Sequence, residues 1–249
     1  MADSLVWLML RGKRLLTDPI EAIAFYAVFV FAVTVHEAAH ALAAKIGGDL
    51  TAYHGGQVSI DPIPHMKREP FGMVILPVMS VALSGWPIGY ASAPYNLAWA
   101  HRYPNRAAWM ALAGPAANLA LAIIAGLLVR IGMIGGLFEA PGSVHFKQIT
   151  VAAGDATGLA SALALLVSIF FSMNLLLFLL NMIPLPPLDG SGALPLILPE
   201  NWVTAYQGLI RQPMVGLIGI VIVWNLIGEI FFPCLFFAIG LLYPGIQYG

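Results

Sequence analysis

Charge is what this chain has least of: Asp, Glu, Lys and Arg make up 9% of its 249 residues, where a soluble domain carries about 25%. With 60% hydrophobic residues and a mean hydropathy of +0.87, that shortage excludes an ordinary soluble domain and indicates an integral membrane protein. The 11 basic and 12 acidic residues leave a formal net charge of -1. With no basic excess, no Gly-rich phosphate loop and no aromatic-basic interleaving, nucleic acid is excluded as a partner. There is one cysteine, Cys234, so neither an intrachain disulfide framework nor a multi-cysteine zinc site can form. Any metal must be held by histidine and carboxylate.

Four apolar windows reach the roughly 20 residues needed to span a bilayer: Ile20 to Lys45, Ala107 to Ile131, Leu159 to Ile183 and Val215 to Tyr243. A fifth, Phe71 to Ala91, contains Pro77, Gly85, Pro87 and Gly89 and is expected to be broken or re-entrant. Pro233 is expected to kink or split the last window. The fold class that follows is an all-α polytopic membrane protein of four to six transmembrane helices. Between the first and second spans, Gly47 to Pro62 has two short runs flanking Gly55-Gly56 and reads as a small β-hairpin. Ahead of the first span, Ser4 to Leu10 precedes Arg11, Lys13 and Arg14, the reverse order of a secretory signal. It reads as an interfacial helix anchored by Trp7. Five crossings would set Arg11, Lys13, Arg14, Arg102, Arg106 and Arg211 opposite Lys45, Lys67, Arg68, Arg130 and Lys147, which does not decide orientation. No second domain or repeat is evident.

Within the first span stands His36-Glu37-Ala38-Ala39-His40. On a helix the two imidazoles fall at i and i+4, on one face, where both can reach one zinc ion, and Glu37 beside them can serve as general base. Glu37 is the only Asp, Glu, Lys or Arg between Ala22 and Ala44. A charge at mid-membrane costs roughly 2.5–3.5 kcal/mol even on the lenient insertion scale, so an unrewarded carboxylate is not expected there. Catalytic zinc normally has three protein ligands plus water, which leaves one to find. Among Asp61, Glu139, Asp189, Glu200 and Glu229, Asp189 is best placed. It follows Asn181-Met-Ile-Pro-Leu-Pro-Pro-Leu, where prolines break an apolar helix and Gly190 permits a tight turn. Glu229, also in an apolar run, is the rival.

Three motifs in order, His36 to His40, Gly114-Pro115-Ala116-Ala117-Asn118, and Asn181 to Gly190, resemble those of the site-2 protease family of intramembrane zinc metalloproteases. The resemblance covers about Ile20 to Gly192. It implies one zinc ion held by His36, His40 and Asp189, Glu37 as catalytic acid/base, and three core helices. It also implies cleavage of transmembrane protein substrates near the cytosolic side, in the plasma membrane of a prokaryote. The chain is then one protease domain, 1–249, with an interfacial segment 1–19, a catalytic core 20–192 and C-terminal helices 193–249. It is similar to the compact form without a PDZ-like insert. Oligomeric state stays open.

Hydrolysis needs water at the ion, hence a polar cavity. Asn118, Asn174 and Asn181 are candidates to line it or to hold an oxyanion. Hydrogen bonding between helices is the preferred reading for Asn174, and the site for Asn181. The small residues around Gly114 are explained by helix packing alone. His54, His65, His101 and His145 read as ordinary connection residues, with His54 and His65, which flank the hairpin, as secondary candidates to touch zinc or substrate. The hairpin would offer a strand edge at Val58, Ser59 and Ile60 to an unwound substrate. A membrane metal transporter and an inactive binding scaffold are the competing readings. The first would stage ligands along several helices; the second would be expected to lose Glu37 or a ligand.

Overall fold

The computed structural model describes residues 18–154, 156–210 and 212–248; the expected interfacial segment around Trp7 lies outside them. Among the described residues four helices are long and apolar enough to cross a membrane: α1 (Pro19–Ile46), α6 (Pro104–Ile134), α7 (Leu159–Met182) and α10 (Pro213–Leu242). The all-α polytopic class stands. α1 begins where Asp18 accepts the Ile20 N–H and Pro19 occupies the first turn, since proline has no N–H to leave unpaired there. Pro115 lies inside α6 and Pro233 inside α10. The last window is one continuous helix rather than two halves.

The fifth apolar window does not reach spanning length. A π-helical turn, Phe71–Ile75, runs into α4 (Leu76–Ser84), and Gly85 ends it with φ 75°, a conformation glycine adopts without steric cost. Residues 86–95 then run without regular secondary structure. With four crossings, Lys45, Lys67, Arg68, Arg102 and Arg106 among the described residues share one side, against Arg130 and Lys147 on the other.

The expected hairpin between the first two spans is absent. Thr51–His54 is a helical turn, α2, and residues 58–60 are bends rather than strand. The Gly56 N–H donates to Tyr53 O and the Gln57 N–H to Ala52 O, with Gly56 at φ 74°. That is the Schellman pattern of a helix end, so the two glycines stop a helix instead of turning a hairpin. Upstream, Asp49 accepts both the N–H and the hydroxyl of Thr51 and starts the turn. Ser59 O accepts from His65 Nε2 at 3.0 Å. His65, in α3 (Pro62–Arg68), is therefore 1% exposed and not a solvated connection residue. The only sheet among the described residues pairs β1 (Phe138–Glu139) with β2 (Val151–Ala152), between the second and third spans.

α1, α6 and α7 pack against one another. α10 lies on this core through Val223, Ile227, Phe231, Leu235 and Ile239, which meet Ala122, Val129, Phe171 and Leu175. Short helices α5 (Leu97–Arg102), α8 (Asp189–Ala193) and α9 (Glu200–Ile210) gather at the end where α1 stops and α6 starts. His40 and His36 sit six and ten residues before Ile46, about 9–15 Å from that end of α1.

Candidate metal and active site

His36 and His40 project from α1 toward α6, with their rings 4.6 Å apart. Each Nδ1 meets an oxygen that can only accept. His36 Nδ1 is 2.6 Å from Asn118 Oδ1, and His40 Nδ1 is 2.7 Å from Met110 O. The amide nitrogen of Asn118 donates to Asn174 Oδ1 at 2.9 Å and to Ala32 O at 3.3 Å, so its Oδ1 is left facing His36. Both imidazoles therefore carry their proton on Nδ1 and present a bare Nε2.

Asp189 enters from the break after α7. The chain turns through Pro184 and a cis Pro186-Pro187 bond and restarts as α8, with Asp189 as its first residue. Gly190 is needed for close approach rather than for a left-handed turn, because a Cβ there would collide with the carbonyls of Met182 and Ile183. Asp189 Oδ2 lies 2.9 Å from His36 Nε2 and 3.2 Å from His40 Nε2, and the two Nε2 atoms are 2.9 Å apart. With the protons on Nδ1, three lone-pair atoms converge with no donor among them. A cation relieves that arrangement, and two imidazoles with one carboxylate form a donor set suited to catalytic zinc. His36, His40 and Asp189 are the one such group among the described residues.

Glu37 is 5% exposed and its Oε2 has no hydrogen-bond partner. A buried carboxylate oxygen left unpaired is costly. Glu37 borders a cavity of about 360 Å³ shared with His40, Asp189, Met110, Ala91 and Tyr95, where a polar reactant could supply the missing bond. Gln207 of α9 lines the same cavity, and α9 is tied down by the Tyr206 hydroxyl donating to Ser191 O at 2.7 Å.

The other candidates separate clearly. Asn118 and Asn174 are fully buried and join α6 to α7 behind His36. Asn174 thus makes the interhelical bond expected of it, but to a residue that itself holds His36. Asn181 donates back to Leu177 O of its own helix and does not line the cavity. Asp61 caps α3, Glu139 accepts from the Gly154 N–H, Glu200 opens α9, and Glu229 is exposed on α10. Gly114 is more than a packing residue, because a Cβ there would collide with Nε2 of both histidines. Its place four residues before Asn118, one turn along α6, was the available sequence signal.

In the segment 86–95, positions 88, 90 and 92 are bound to the protein: the Ile88 N–H to Ser80 Oγ, the Tyr90 N–H to Gly72 O, Ser92 O to Arg68 and Ser92 Oγ to Glu69. Among the described residues the backbones of Ala91 and Ala93 make no hydrogen bond, and both residues line the cavity.

The sequence model of Peptidase family M50 matches residues 24–223. The chain is 32% identical over 180 residues to a Bacillus subtilis (strain 168) protein named "Putative zinc metalloprotease YwhC", covering 71% of this chain and 70% of that one. It is 27% identical over 192 residues to "Putative zinc metalloprotease Rip2" of Mycolicibacterium smegmatis, and 28% identical to the protein of that name from Mycobacterium tuberculosis. Each mycobacterial match covers 74% of this chain and 64% of the relative. No solved structure matches the chain. Since the matched stretch takes in α1, α6, α7 and α8, the elements that bring His36, Glu37, His40, Asn118 and Asp189 together, the chain belongs to peptidase family M50.

Proposed function

We propose that the protein is an intramembrane zinc metalloendopeptidase, hydrolysing peptide bonds within or near transmembrane segments of membrane proteins. One observation carries this reading: Glu37, whose Oε2 is unpaired, lines one cavity with His40 and Asp189, about 9–15 Å inside the end of a span. His36, His40 and Asp189 hold the ion. Zinc, when bound there, supplies a Lewis acid and lowers the pKa of a bound water toward about 7. Glu37 takes the proton of the attacking water and returns it to the leaving amine nitrogen. Asn118 and Met110 O keep both Nε2 atoms turned to the site throughout.

A substrate helix must be opened before its carbonyl can be attacked. The free backbone groups of Ala91 and Ala93, two small residues that line the cavity, suit an extended peptide added as a strand. That role belongs here and not to 58–60, which form no strand. The relatives come from bacteria, which supports a prokaryotic plasma membrane. By resemblance to site-2 proteases, the cavity faces the cytosol.

The test is bound zinc together with cleavage of a reporter transmembrane segment by purified wild type, Glu37→Gln and Asp189→Ala in detergent. Glu37→Gln is expected to keep zinc and lose cleavage by about 10²–10⁴-fold, and Asp189→Ala to lose both. A wild type that binds zinc and cuts nothing, with Glu37→Gln behaving identically, would overturn the assignment.

A further inference from the structure

The outward face of α10 carries two polar side chains where hydrocarbon is expected. Asn225 and Glu229 are exposed and one helical turn apart. Each falls midway between neighbours of the packed stripe Val223, Ile227 and Phe231, so each points directly away from the core at its own level. Glu229 lies 16 residues beyond Pro213 and 13 before Leu242, about 24 and 20 Å from the two ends. With a hydrocarbon layer about 30 Å thick, it lies inside that layer, about 6 Å or more from either face, wherever a helix of that length is placed to span it. Glu229 has no hydrogen bond or ion pair among the described residues. Asn225 donates one amide hydrogen to Val221 O at 2.7 Å, leaving its second hydrogen and its Oδ1 unused. An ionisable group at that depth normally faces a partner.

The rest of the described surface narrows what that partner is. Over their central turns the other spans expose only apolar side chains, such as Phe31 on α1, Ile123 and Leu127 on α6, and Leu166 on α7. A second copy meeting α10 through any of those faces would leave Glu229 against hydrocarbon. One meeting it through the same face would not. Two copies inserted with the same topology are parallel, so a two-fold axis along the membrane normal sets the outward faces together. Residues of the same number then face one another at one level, and Asn225 of one copy lies about one turn from Glu229 of the other, twice over. We propose that the protein forms a homodimer through the outward face of α10, with the Asn225 amide donating to the Glu229 carboxyl across the axis in both directions.

This inference rests only on α10 crossing the bilayer, not on the protease reading. The test is energy transfer between donor- and acceptor-labelled full-length chains in lipid vesicles, followed across a range of protein-to-lipid ratios. Wild type is expected to dimerise. Glu229→Leu and Asn225→Leu are each expected to weaken dimerisation about tenfold, and Glu229→Gln, which keeps the hydrogen-bonding capacity, to stay near wild type. Helical content by circular dichroism checks that each variant is folded. A monomeric wild type over the whole range overturns the proposal and points to a different membrane protein as the partner of this face. So does a Glu229→Leu chain that dimerises as tightly as wild type.

Discussion

His36 Nδ1 lies 2.6 Å from Asn118 Oδ1, on a different span, and that contact decides which ring nitrogen faces the site. Asn118 can only accept there, because its amide hydrogens are committed to Asn174 and Ala32. The bond reaches from α1 through α6 to α7, so the packing of three helices sets the tautomer of one ligand. Asn118→Leu should lower zinc affinity about 10–100-fold, the range typical of lost outer-shell partners. Asn174→Leu should cost less, since Ala32 O still orients the amide. Competition with a chelator of known affinity, at constant pH, measures both.

Gly114 is tested without touching a ligand. A methyl group at this position occupies the space of both Nε2 atoms, and a packed interior has no slack to move two imidazoles bound at their far ends. Gly114→Ala should lower bound zinc at least about tenfold, whereas Gly216→Ala, with open space around it, should leave it unchanged. Zinc content of the purified variants distinguishes the two.

The strand-edge role of 86–95 predicts a selective defect. Ala91→Pro removes one unpaired N–H from a residue that lines the cavity, while the bonds at Tyr90 and Ser92 can remain. One hydrogen bond to substrate is worth about 0.5–1.5 kcal/mol, so kcat/KM for a reporter segment should fall roughly twofold to tenfold at unchanged zinc content. Cleavage equal to wild type would remove Ala91 from the substrate path.

Asp49 should make the fold acid-sensitive. It is 5% exposed, and burial works to raise its carboxyl. The Thr51 hydroxyl, the Asn96 N–H at 2.7 Å and the Thr51 N–H all donate to it and hold it below the ordinary carboxylate value. A group depressed in the folded state contributes stability above its unfolded pKa and loses it as pH falls through the folded value. Thermal unfolding of wild type should therefore weaken progressively below the normal carboxylate range, and Asp49→Asn should flatten that slope. Asp49→Ala, which strands buried donors, should cost about 1–3 kcal/mol at neutral pH.

Local spacing made His36, Glu37 and His40 legible, because i and i+4 on any helix share a face. The four spans were legible too, because a bilayer imposes length and apolarity on each span independently. Asp189 was legible through the prolines that break the helix before it. Gly55-Gly56 was misread for the opposite reason. The same dipeptide serves a hairpin turn and a helix end, and the choice fell to Asp49, whose carboxylate caps Thr51 while holding Asn96, 47 residues away.

By itself, then, the sequence determined the membrane class, the four firm spans and the candidate metal-holding side chains, which depend on composition, on spacing within one helix or on prolines that break one. Only the tertiary structure decided that Asn118 and not Asn181 stands behind His36, that Gly114 leaves room for the imidazoles, that an extended segment at 91–93 borders the cavity, and that Glu229 turns away from it. Those assignments depend on which helix faces which and at what height. That is settled by packing and hydrogen bonding between residues far apart in the chain, such as His36 and Asn118, and no local pattern encodes it.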